Sequence, residues 1–442
     1  MANRYRVKAK KSKEVVISNE YRIDPKTPIP LETNGTGISI KGDVEYIPFL
    51  DSRDNFFQVL LEANINSPTN NACVNSKTKF SIGNGFFLAQ ENTQFNEWAK
   101  RVNNNNESLN DVLRSIFFSE YTAGNTFIEV VRTTIGRTKF VKCYVRQFTD
   151  CRLVMDEYGK ETDTPTHIVI SKEFRGVGTW NFGKNEVSKI PIYNGEKDQL
   201  WAVDKNGDEH IAIFIKESVA GYDYYGLPSN IGGLRLQMSE SKMIQYNNDN
   251  FDNNLVIGGA VFLGAGLSQE EADKVSKAVV KMHAGDGNRG RFMFVSNVEE
   301  ADKVKVVPFE QNKDYDFIQG SANVESRLIF ANEWSKALID PQAGGLGNSG
   351  KQIKEIYEVK VNTVIKPKQK EIIDKFISPL FEICNDSMNA NFDIEGCYFD
   401  ILPAIGVAQE LDLTKILTRN EQREILGFPP IEETLKTEGG DV

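Results

Sequence analysis

The stretch from Leu338 to Gln352 constrains this chain more than any other. It reads Leu-Ile-Asp-Pro-Gln-Ala-Gly-Gly-Leu-Gly-Asn-Ser-Gly-Lys-Gln, with glycines at 344, 345, 347 and 350 and a proline at 341. Glycine loses the most backbone entropy in a helix, and proline lacks the amide donor, so no helix continues through it. Both flanks nevertheless carry helical spacing. Val324, Leu328, Ala331, Trp334 and Leu338 recur at steps of three and four, and Ile353, Ile356 and Tyr357 open a run that continues to Cys384. The pattern predicts a glycine-rich loop held between two long helices; with the strands read between Thr126 and Ile215, the fold class expected for the whole chain is α+β.

The same residues approach a phosphate-binding loop. Gly345, Gly350 and Lys351 have its spacing, but Gln352 stands where a Ser or Thr must ligate magnesium. Such a loop also needs a buried strand before it, and Ser326 to Leu338 has helical period. A loop that moves without catalysing is the better expectation. Ser349 lies in Gly-x-Ser-Gly-Lys rather than a nucleophile elbow, and no triad partner is set by spacing.

Composition narrows the remaining classes. The 442 residues suffice for two or three compact units, and no run of about eighteen apolar residues is present to span a membrane. Met1 to Lys13 carries Arg4, Arg6, Lys8, Lys10, Lys11 and Lys13 but no apolar core, so no secretion signal is expected there. The cluster suits a solvated tail, or else contact with an acidic partner or nucleic acid. Cysteines 73, 143, 151, 384 and 397 form no Cys-x-x-Cys pair, which favours a reducing compartment and disfavours a zinc ribbon. His167, His210 and His283 lie far apart. Neither metal nor cofactor is expected, and no enzyme. The net charge of −10 excludes a surface built to grip duplex DNA.

Taken in order, residues 1–50 are expected as an extended arm, with order starting near Asp51. Ser67-Pro68 predicts a capped helix towards Phe80, and Ser108 another to Tyr121. From Thr126 to Ile215 the period changes to two, predicting strands around 127–132, 139–145, 167–170, 199–203 and 210–216. Asp204, Asn206 and Asp208 alternate like calcium ligands, but Glu209 occupies the position where that loop requires glycine. A polar helix is expected from Ser229 to Asn254. Residues 255–311 are expected as a small α/β insert whose capping box, Leu267 to Glu271, opens a helix. A second long helix is expected over 312–337. A third, over 353–386, should bend or restart at Pro367 and Pro379. Short helices are expected over 408–417 and 419–426.

This order of parts resembles the portal protein, or head–tail connector, of tailed bacteriophages. Tyr225-Gly226-Leu227-Pro228 and Thr418-Arg419-Asn420-Glu421-x-Arg423, with Gly427 and Pro430 following, carry the resemblance, which spans about Asp51 to Pro430. It implies a wing (51–221 with 353–405), stem helices (222–254 and 312–337), a clip (255–311), a tunnel loop (338–352) and a short crown (406–442). It also implies a ring, dodecameric in the family, at one capsid vertex of a virion assembled in the host cytoplasm. Double-stranded DNA would pass through on packaging by the terminase large subunit and again on ejection. A head-completion or adaptor protein, the major capsid protein and a scaffold protein would be further partners, with no membrane. The resemblance places Gln342, Gly344, Gly345, Leu346, Asn348 and Lys351 towards the DNA, and Asp286, Arg289 and Arg291 towards terminase or adaptor. Two alternatives stay open: an NTPase using Gly345 to Lys351, and a virion ring component without a DNA channel.

Overall fold

The computed structural model describes residues 38–40, 44–50, 54–156, 162–175, 187–196, 199–252, 259–264, 270, 274, 293–298, 304–308, 314–340 and 350–402. Order begins earlier than the sequence suggested. β1 (Ile38–Ile40) and β2 (Val44–Tyr46) pair as an antiparallel hairpin. Tyr46, Ile47, Phe49 and Leu50 are buried, and the Phe49 ring stacks among Phe56, Phe57 and Tyr225. The prolines and turn dipeptides of this region hid four core residues.

Two helices follow, α1 (Phe56–Asn66) and α2 (Pro68–Ile82). The Ser67 side chain caps α2 by accepting from the Asn70 amide, with Pro68 opening the helix as expected. Gly83 closes it at φ +57, where a Cβ would fall 2.0 Å from the Asp400 carbonyl oxygen. β3 (Gly85–Phe87), α3 (Thr93–Lys100) and α4 (Leu109–Ala123) come next. The α4 start is a reciprocal capping box between Ser108 and Asp111.

The main sheet is antiparallel, ordered β5 (Thr138–Arg146), β4 (Asn125–Ile135), β10 (Glu209–Lys216), β9 (Ala202–Val203). Strand alternation turns Ile128, Val130, Val141, Cys143, Ile211 and Ile213 into a core shared with α4. Phe127 and Ala212 point the other way, into a second core with α1. A smaller sheet, β6 (Cys151–Val154), β7 (His167–Ile170) and β8 (Ser188–Pro191), adjoins that second core. There Arg152 and Asp54, both fully buried, pair at 2.7 Å, and the guanidinium lies over the Phe174 ring.

The Tyr225–Pro228 segment has a steric reason to be where it is. Gly124, at φ +63, leaves no room for a Cβ, which would sit 2.3 Å from the Leu227 backbone. Gly226 likewise lies against Gly124 and Glu217, and the Asn125 side chain bonds both its amide and its carbonyl at 2.8 Å. The Tyr225 hydroxyl donates to the Ile47 carbonyl at 2.6 Å and accepts from the Leu153 amide at 2.9 Å. The motif is a backbone crossing.

α5 (Leu234–Asp252) starts later than predicted, because Ile231–Gly233 winds as a 3-10 turn. A Cβ on Gly233 would come within 3.0 Å of the Ala331 Cβ, so two helices touch there. That second helix, α6 (Asp314–Ala331), corrects the expectation of a rod running to 337. Glu333 takes φ +50, the Trp334 amide reaches back to Ile329 O at 3.1 Å, and the Glu333 amide to Phe330 O at 2.9 Å. This is a Schellman stop with glutamate in the left-handed position usually held by glycine. Between α5 and α6, β11 (Gly259–Gly264) lies central in a three-stranded sheet, parallel to β12 (Met293–Val298) and antiparallel to β13 (Val304–Pro308). The helix expected from Ser268 lies almost wholly outside the described residues.

A four-residue α7 (Lys336–Ile339) precedes the glycine-rich loop, and α8 (Gly350–Lys360) follows it. At both prolines the helix restarts, as expected. Each proline follows a π-helical turn, Val361–Ile365 before α9 (Lys366–Ile372) and Ile373–Ile377 before α10 (Ser378–Met388). A widened turn moves the carbonyl that a proline ring would strike in an α-helix. β14 (Tyr398–Asp400) closes the described chain by pairing with β3. The helices expected at 408–417 and 419–426 lie outside the described residues.

Candidate nucleic-acid-facing loop and its supports

Of the loop residues singled out by resemblance, Gln342, Gly344, Gly345, Leu346 and Asn348 lie outside the described residues, as do Asp286, Arg289 and Arg291. Lys351 is the second residue of α8. What the structure describes is the pair of chain ends that carry the loop.

Both ends rest on α2. On the incoming side, the Trp334 indole donates to Ser76 Oγ at 3.1 Å, and Ser76 Oγ donates to the Leu338 carbonyl at 3.2 Å. On the outgoing side, Tyr357 donates its hydroxyl to the Leu402 carbonyl. Phe80 lies between them, its ring 5.7 Å from Trp334 and 5.7 Å from Tyr357. Cys73, Val361 and Ile365 complete this small core. The element ahead of the loop is α7, a helix, so the strand that a phosphate-binding loop needs is not there.

A chain of buried amides joins α2 to the roots of α5 and α6. Asn70 Oδ1 accepts from Asn332 Nδ2 at 2.8 Å and from Asn230 Nδ2 at 3.0 Å, while Asn70 Nδ2 donates to Asn64 Oδ1 at 2.7 Å. Glu240 of α5 accepts from the Ser67 hydroxyl and, at 2.5 Å, from Thr69 Oγ1 at the head of α2. Two turns further along α2, Lys77 is 1% exposed. Its ammonium reaches the Asn332 carbonyl at 3.4 Å and lies over the Tyr121 ring at 4.7 Å. Burial pulls the Lys77 pKa down to about 8.

A second buried cluster surrounds Lys368. Its ammonium bonds Glu217, meets Glu371 at 2.7 Å and lies 3.4 Å from Glu120. Burial pulls its pKa down, but the facing Glu120 and Glu217 carboxylates outweigh it, and the pKa is raised. Burial raises the Glu120 carboxyl, with Lys368 opposing. Among the described residues no group of three His, Cys, Asp or Glu is placed to hold a metal. The Asp204 carboxylate instead accepts from the Asn206 and Asp208 amides at 2.8 and 2.9 Å and shapes its own turn.

Neither the amide chain nor Lys77 stood out in the sequence. The available signal was α2 itself: a helix with Asn70, Ser76, Lys77, Thr78 and Ser81 all buried has no apolar stripe, so it must be surrounded on every side.

No protein-family model matches the sequence, and no curated protein matches it. Among solved structures, a chain of the virion of the native gene transfer agent particle matches with a TM-score of 0.50 at 14% identity. The match covers 85% of this chain and 94% of that one. The fold is similar to that of a virion chain. At this identity the likeness speaks for fold alone, a mixed α+β fold. Two further likenesses are too weak to add weight. One is a neck chain of the empty gene transfer agent particle (TM-score 0.48, 14% identity, 85% and 94% covered). The other is an HK97-family phage portal protein from Corynebacterium diphtheriae (0.31, 9%, 76% and 87%). No helix among the described residues is long and apolar enough to cross a membrane.

Proposed function

We propose that this chain is the subunit of a portal-type ring in a virion, enclosing a passage through which double-stranded DNA is packaged by a terminase and later ejected. The observation that carries this is the fold shared with a virion chain over 94% of that chain's length. The surface of α5 supports assembly: no residue from Met238 to Asn248 is buried, and a helix so polar and uncovered needs neighbours. Phe330 on α6 is 85% exposed, a large apolar group left for a partner copy.

In this reading residues 338–352 face the DNA, with Gln342, Asn348 and Lys351 making light contacts and Gly344, Gly345 and Leu346 letting the backbone pass close. Asp286, Arg289 and Arg291 face the terminase or a head-completion protein. A net charge of −10 per copy suits a conduit, since each firm lysine–phosphate contact would add drag.

Native mass spectrometry and negative-stain imaging of the purified full chain test the reading. Rings with a central hole are expected; a stable monomer at all concentrations would sink it. Replacing Gly345–Gly350 by a rigid helical stretch should leave ring formation intact and impair DNA packaging. Normal packaging by that variant would remove the loop from the mechanism.

A further inference from the structure

Two surface patches of opposite charge and matching apolar character lie on opposite sides of the molecule. The first is the tip of the β4–β5 hairpin. Ile135 and Phe140 are 64% and 44% exposed there. They lie on one face, since Ile135 pairs with Thr138 and Thr133 with Phe140, and that face points away from the core holding Val130 and Val141. From Val130 to Thr149 the chain carries Arg132, Arg137, Lys139, Lys142 and Arg146 and no acid. Arg132 is committed to Glu209 and Arg146 to Glu129. Lys142 bonds Thr133 at 3.3 Å. Arg137 at the turn is exposed and Lys142, on the face of Phe140, is half-buried, and neither has an ion pair among the described residues; Lys139 pairs with Thr134 and lies on the opposite face.

The second patch is the β3–β14 ribbon. Phe87 and Tyr398 are cross-strand partners, 43% and 50% exposed, with ring centroids 6.0 Å apart. From Phe376 to Leu402 the chain carries Glu382, Asp386, Asp393, Glu395 and Asp400 and no Lys, Arg or His. Asp393, Glu395 and the nearby Glu91 are exposed and have no ion pair among the described residues. The ribbon packs through Phe86 and Phe399 onto Phe381 of α10 and Phe117 of α4. Those helices cover the face of the main sheet opposite to Ile135 and Phe140.

The geometry points to the partner of each patch being the other patch on a second copy of this chain: Ile135 and Phe140 of one copy against Phe87 and Tyr398 of the next, with Arg137 and Lys142 facing Asp393 and Glu395. Different patches on opposite sides make a head-to-tail contact, the kind that closes into a ring when the rotation allows. Opposite charges at the rim set register and suppress like-with-like docking. The inference rests on the ring proposed above and names the surfaces that build it.

Charge exchange tests it on the full chain. Arg137→Glu with Lys142→Glu should lower the ring fraction in native mass spectra about tenfold, as should Asp393→Lys with Glu395→Lys. None of the four residues is buried, so each variant should melt like the wild type. Combining the four substitutions recreates the attraction with signs reversed and should restore rings. If the wild type forms rings and the reversal variants do so equally well, the docking inference fails while the ring stands. If the combined variant stays dissociated, the two patches are not partners. A wild-type chain that never assembles overturns both.

Discussion

Lys77 shows how burial sets the behaviour of a single residue. Its ammonium has one distant carbonyl and an aromatic ring in place of water, and its pKa falls from 10.5 to about 8. Between those pH values the unfolded chain holds the proton more tightly than the folded one, so this residue's contribution to stability rises with pH across that window, by about 3 kcal/mol at most. Lys77→Met should therefore be more stable than wild type at pH 7, with the gap closing towards pH 10. Denaturant titrations at both pH values check this; a pH-independent gap would mean the amine is hydrated. Cys73 and Tyr121, both pushed up to about 12 by burial, titrate in either chain. The residues around Lys77 were illegible in the sequence because their partners are remote: Asn70 meets Asn230 and Asn332 across separations of 160 and 262 residues. No local pattern records such a bond.

At the scale of elements, what depends on neighbours in sequence was legible. Ser67-Pro68 and the Ser108 cap opened helices where expected, and alternation found the strands of the main sheet. The second stem-like helix was overdrawn for a physical reason. Trp334 and Leu338 keep helical spacing because both pack in the same small core, yet they reach it after a reversal at Glu333. Glutamate in that left-handed position carries a steric cost of about 1 kcal/mol. Glu333→Gly should thus raise the unfolding free energy by up to about 1 kcal/mol, against the usual loss of similar size when glycine enters a helix interior. A clear loss in a thermal or denaturant melt would argue for a helix continuing through 333. Short strands such as β3, β6 and β8 were missed because three or four residues give period two no room to show. The π turns were missed because proline announces a disruption without saying how it is relieved.

For the whole molecule, charge gives the plainest expectation. A surface with 62 acidic against 52 basic residues should not retain duplex DNA. At physiological salt we expect no association tighter than about 100 µM, the weak end of nonspecific DNA binding. Filter binding or anisotropy reads this directly, and a salt-sensitive micromolar affinity would count against a conduit. The candidate loop itself was the most visible feature of the sequence, whereas its footing on α2 was not.

That footing has a mechanical corollary. One fifteen-residue rod meets Glu240 at its head, Asn332 along its flank, and Trp334 and Tyr357 near its tail. Tilting it would displace the bases of α5, α6 and the loop in concert, so strain entering at any one of them is shared by all three.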